Sequence, residues 1–202
     1  MIRGKKAMRL AWGMWLLPLL PSCSPGDPGK SKGAAAVPID DACTVAVRFV
    51  DHWLGQLRAG RPVVFSDTPD VTPNSPAPGP WFKLTGQYGA APMPALLEKG
   101  ADMPRESAVA RCPALRAYLD RAKIRHGAAA VAETVAHADG ERAYPADILG
   151  LTLPSLSPDG RQALTMTSVQ SAPLSGLGQF FLLERQDNGG WPVISAQRLS
   201  IS

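Results

Sequence analysis

Few side chains in this sequence stand at spacings that carry chemistry. The three cysteines, Cys23, Cys43 and Cys112, are the sharpest candidates. None belongs to a C-x-x-C pair, so no dithiol redox motif is present. The three histidines, His52, His126 and His137, are nowhere four residues apart, so no helical face carries a local metal-binding pair. His52 follows Asp51 directly, and neighbours in a helix point apart. Gly176-Leu177-Gly178 would need a third glycine and a following helix to cradle a phosphate. Phe181 stands at the third position and a strand is expected after it, so the segment reads as a hairpin loop. The P-loop, H-E-x-x-H and G-x-S-x-G patterns are absent from the sequence. A Ser-His-Asp triad can be drawn from distant parts of any chain this rich in serine and aspartate, and so carries no information. The reading is therefore no catalytic, metal or cofactor-binding residue.

Charged and aromatic side chains offer weaker options. Arg105, Arg111, Arg116, Arg121, Lys123 and Arg125 crowd one stretch that only Glu106 and Asp120 offset. Such a stretch suits either an anionic partner, such as lipid headgroups or a polyanionic glycan, or a solvated helix face. The second is the ordinary outcome for a charge run. Asp67 and Asp70 could bind a cation, but among so many prolines they read as turn residues. Trp53 and Trp191 fall on apolar faces and read as core rather than as glycan-stacking platforms.

The elements that would position these groups follow from periodicity. Val45, Ala46, Phe49, Val50, Trp53, Leu54 and Leu57 recur at helical steps behind Asp40 and Asp41, with Gly60 and Pro62 as stops. Residues 62–66 predict a short strand. Residues 67–80 hold five prolines and predict a long loop, with Trp81 and Phe82 at its end. Between 86 and 111 the pattern is weak, with one or two helical turns over 94–99. A second helix runs from Pro113 to about Arg125 on the stripe Leu115, Tyr118, Leu119 and Ile124. Residues 128–138 alternate Val131, Glu133 and Val135 with smaller residues and predict a strand. Strands over 148–153, 161–170, 179–185 and 191–200 are separated by a turn at 157–160, a loop at 171–178 and a turn at 187–190. The expected fold class is α+β: an antiparallel C-terminal β-meander with two main helices packed on one face.

The N-terminus has a different character. Arg3, Lys5, Lys6 and Arg9 precede the uncharged run Leu10 to Leu20. That run has the form of a signal-peptide core and is shorter than the roughly 20 apolar residues a membrane span needs. Leu20-Pro21-Ser22-Cys23 resembles the lipobox of bacterial lipoproteins. The resemblance implies removal of residues 1–22 and lipidation of Cys23. Ser24, in place of aspartate, implies sorting to the outer membrane, facing the periplasm. Residues 24–38, rich in Pro, Gly, Ser and Ala, read as a flexible tether. The expected organisation is thus a signal peptide (1–22), a lipidated cysteine with its tether (23–38) and a single α+β domain (39–202).

Export changes the arguments from charge and from cysteine. Without its four leader cations, the count of 21 basic residues falls to 17, level with the 17 acidic ones. The pI of about 9.1 is then mostly a property of the leader, and a nucleic-acid partner is not expected. With Cys23 acylated, Cys43 and Cys112 remain as an even pair in an oxidising compartment, which favours a disulfide over two buried thiols. Both stand at helix starts, a suitable place for a staple.

The C-terminal segments SPDGRQALTMTS, PLSGLGQFFLLER and GGWPVISAQRLSIS resemble the ends of small bacterial extracytoplasmic domains of unknown function. Some of those domains carry cysteines near the hairpin, where this chain has Ala172 and Ser175. The resemblance implies a fold and a compartment, and no activity. The expected function is a lipid-anchored envelope protein with a non-catalytic binding or accessory role. It would meet the membrane through its anchor and either another envelope protein or a small ligand. The alternative is an envelope hydrolase without a recognisable motif. His126 or His137 converging with a carboxylate in a concave pocket would favour that alternative.

Overall fold

The apolar stripe after Asp41 forms α1 (Ile39–Leu54). It buries Val45, Ala46, Phe49, Val50 and Trp53 on one side and exposes Asp41, Thr44, Arg48 and Asp51 on the other. The computed structural model describes residues 39–57, 60–68, 92–96, 106–140, 143–173 and 175–201, all within the unit Ala34–Ser202. The signal peptide, Cys23 and its tether, Asp70, Trp81, Phe82 and Arg105 lie outside the described residues.

Beyond α1 come β1 (Val63–Phe65), α2 (Ala108–Arg111), α3 (Pro113–Arg121), β2 (Arg125–His126) and α4 (Ala128–Ala136). Five further strands follow: β3 (Asp147–Leu151), β4 (Ser155–Leu156), β5 (Gln162–Ala172), β6 (Ser175–Glu184) and β7 (Val193–Ile201). They form one seven-stranded sheet in the order β2-β1-β3-β5-β6-β7, with β4 also on β5. The strands β5, β6 and β7 are the expected antiparallel meander, and the class is α+β. The other end of the sheet is parallel: Val64 pairs with Arg125 of β2 and with Ile148 of β3.

Three expected elements are corrected. The second helix ends at Arg121 rather than about Arg125, because the reversal at Lys123 leads Arg125 and His126 into β2. Ala128–Ala136 form a helix, α4, where alternation over 128–138 predicted a strand. Alanine's helix propensity prevails, and the parallel step from β2 to β3 demands a crossover that a third strand could not supply. Residues 171–178 are mostly ladder rather than loop. Gly176, Leu177 and Gly178 lie in β6, paired with Gln170, Val169 and Ser168, so the hairpin reverses nearer to Pro173.

The helices α1, α2 and α3 cover one face of the sheet. Phe65, Leu149, Leu151, Ala163, Phe181 and Leu183 project into the same cluster as Phe49, Val109, Leu115 and Leu119. At its centre the Phe49 ring stands 5.6 Å from Trp53 and 4.9 Å from Phe181. On the opposite face Leu164, Met166, Phe180 and Leu182 pack with Leu96. Met93 fastens that segment by donating its N–H to Gln162 Oε1 at 2.9 Å.

Three further ties fasten elements within these layers. Cys43 of α1 is disulfide-bonded to Cys112, between α2 and α3, with a Cα–Cα distance of 5.3 Å. Arg61 Nε meets Asp147 Oδ1 at 2.6 Å, and Ser171 Oγ donates to the same oxygen. This fastens the starts of β1 and β3 to the end of β5. Tyr118 Oη donates to Asp51 Oδ1 at 2.7 Å, joining α3 to α1.

Burial, reinforced by that hydrogen bond and the Asp51 charge, pushes the Tyr118 phenol from its ordinary 10.0 up to about 12. A folded-state pKa above the unfolded one stabilises the fold fully below the unfolded pKa. Stability is therefore expected to fall as pH rises from about 10 to about 12. Tyr118→Phe should remove a late-ionising phenol from an ultraviolet phenolate titration and flatten the decline.

Candidate functional site

A tight reversal links α3 to the edge strand β2. Lys123 N–H donates to Asp120 O at 3.0 Å and Ile124 N–H to Leu119 O at 2.9 Å, the paired bonds that close a helix around a left-handed residue. Lys123 occupies that place at φ 58°. After Arg125 and His126, Gly127 turns at φ 89° and donates its N–H to Phe65 O at 2.9 Å, and α4 starts. Asp67 comes close here, its Oδ2 3.8 Å from where a Cβ on Gly127 would stand.

Between α3, β2 and α4 lies an open depression of about 430 Å³ lined by Asp120, Lys123, Ile124, Arg125, His126 and Ala130. His126 Nε2 is 3.0 Å from Asp120 Oδ1. The imidazole is 19% exposed and the carboxylate 72%. This is the convergence of a histidine with a carboxylate that the sequence left open. Arg125 Nη2 meets Glu133 Oε2 at 2.6 Å and donates to Ala130 O. The lining thus combines two apolar side chains, a His–carboxylate pair and two cations.

The other candidates are placed elsewhere. His137 Nδ1 contacts Glu133 O within α4 at 2.8 Å, and His52 contacts Gln56 within one turn. The basic run is dispersed: Arg111 pairs with Glu106, and Arg116 Nη1 donates to Val109 O and Ala110 O. Asp67 sits in a bend whose turn is made by Ser66, whose Oγ accepts from Thr68 N–H at 3.1 Å. Trp53 is buried in the core, and Trp191 packs against it. Among the described residues no three His, Cys, Asp or Glu side chains converge as metal ligands, and no helix is long and apolar enough to cross a membrane.

Sequence reasoning did not join Asp120 to His126. They are six residues apart on no shared helical face, and only the reversal at Lys123 brings them together. No protein-family model, curated protein or solved structure matches the chain.

Proposed function

We propose that this chain is exported, lipid-anchored through Cys23, and held at the cell envelope, where residues 39–202 serve as a binding or accessory domain. The observation that carries this reading is the run from Arg3 to Cys23: cations, an uncharged apolar stretch, then a lipobox-like tetrad. A disulfide joining Cys43 to Cys112 supports it, because such bonds persist in oxidising compartments. The binding role is supported by the depression, whose volume and mixture of apolar wall and few polar groups suit a small molecule.

In a bacterial host given labelled palmitate, the wild-type chain is expected to take up label and fractionate with membranes. Cys23→Ser is expected to lose the label altogether. Equal labelling of the two would refute the anchor.

The hydrolase reading draws on one observation, the 3.0 Å contact of His126 with Asp120 in the depression. It requires turnover of an ester or glycoside that disappears in His126→Gln. Turnover that survives the substitution would remove this pair from catalysis.

A further inference from the structure

We infer that the depression between α3 and α4 takes the anionic group of a small organic ligand, a carboxylate or a phosphate, on the Lys123 ammonium. This rests on the binding reading above and names the class of ligand. The first argument is electrostatic. The lining holds two cations, Lys123 and Arg125, and one carboxylate, Asp120, which is turned onto His126. Arg125 is taken up by Glu133. Lys123 is the lining cation with no carboxylate partner among the described residues. Ile124 and Ala130 give the ligand's body an apolar wall.

The second argument is conformational. Six described residues have positive φ, and five are glycines: Gly60, Gly127, Gly140, Gly160 and Gly189. The sixth is Lys123. A Cβ in the left-handed region crowds the following carbonyl, and glycine escapes that penalty. Lysine therefore sacrifices stability at a helix end where glycine is the usual residue. An exposed lysine that stands at this place despite that penalty, lining the open depression, is positioned for its ammonium to meet a ligand there.

The test is an NMR titration of the mature lipidated chain in detergent with benzoate, methyl phosphate and the neutral analogue benzamide. Saturable shifts confined to residues 120–130 are expected with benzoate, methyl phosphate or both, and not with benzamide. Response to one anion alone distinguishes a carboxylate site from a phosphate site. Lys123→Gly is expected to raise Tm by about 2–4 °C, since it relieves the left-handed Cβ, and to weaken anion binding about tenfold. Lys123→Arg should keep most of the affinity. Anion binding unchanged in a folded Lys123→Gly would overturn the inference. Benzamide binding as well as the anions would overturn it while leaving the binding reading intact. The absence of any localised shift would overturn both.

Discussion

Replacing Cys43 and Cys112 together by alanine is expected to lower the unfolding free energy by about 4 kcal/mol. The bond closes a loop with a sequence separation of 69, and the chain-entropy model gives a crosslink of that size about this value. Alanine is the right replacement because Cys43 and Cys112 are 6% and 0% exposed. Serine would bury hydroxyls in a cluster of apolar side chains and add a desolvation penalty of its own. Urea unfolding of the variant beside the native protein measures the difference, and intact mass should place the native chain two hydrogens below its fully reduced form. A loss under about 1 kcal/mol would mean that residual structure already keeps the two cysteine-bearing segments close in the unfolded chain, leaving the crosslink little to remove.

Phe49→Ala is expected to cost about 3–5 kcal/mol, the range for emptying a buried aromatic site. Phe49 is wholly buried and is one of the side chains through which α1 meets the sheet, stacked on Trp53 and tilted against Phe181 of β6. Its removal leaves a void between α1 and the sheet, and the Cys43–Cys112 bond keeps α1 fastened to its neighbouring helices, so collapse of α1 into the void is restricted. The same unfolding measurement reads the effect, and Phe49→Leu should recover part of it. Together the two losses approach the whole stability of an ordinary domain, so the triple variant is expected not to fold. If Phe49→Ala cost less than about 1.5 kcal/mol, the contact between α1 and β6 would not be the centre of the core.

Both effects concern features that a linear reading reaches. The seven apolar residues from Val45 to Leu57 repeat at helical steps, and six of them lie within α1. Asp-Gly and Asn-Gly turns mark the reversals between β4 and β5 and between β6 and β7, because only certain residues accept the backbone angles these turns need. The pairing of Cys43 with Cys112 followed from counting cysteines once Cys23 was set aside. These are local or combinatorial signals, and the chain carries them without help from its fold.

The parallel half of the sheet is a different case. β1 is three residues long and β2 two, too short for any period to show. Their partners are fixed by hydrogen bonds to strands far along the chain. For α4, small residues suit helix or strand alike until the crossover from β2 to β3 requires a helix. The depression carries no motif: Asp120, Lys123, His126 and Ala130 are spaced as on one helix, but the helix ends at Arg121 and the reversal at Lys123 decides how they meet. By itself the sequence determined the first helix, the meander and the disulfide, all encoded in periodicity, turn chemistry and residue count. Only the tertiary structure decided which strands run parallel, that α4 is a helix, and that a lysine in the left-handed region stands beside a histidine–aspartate pair. Those outcomes depend on contacts that exist only after the chain has closed on itself.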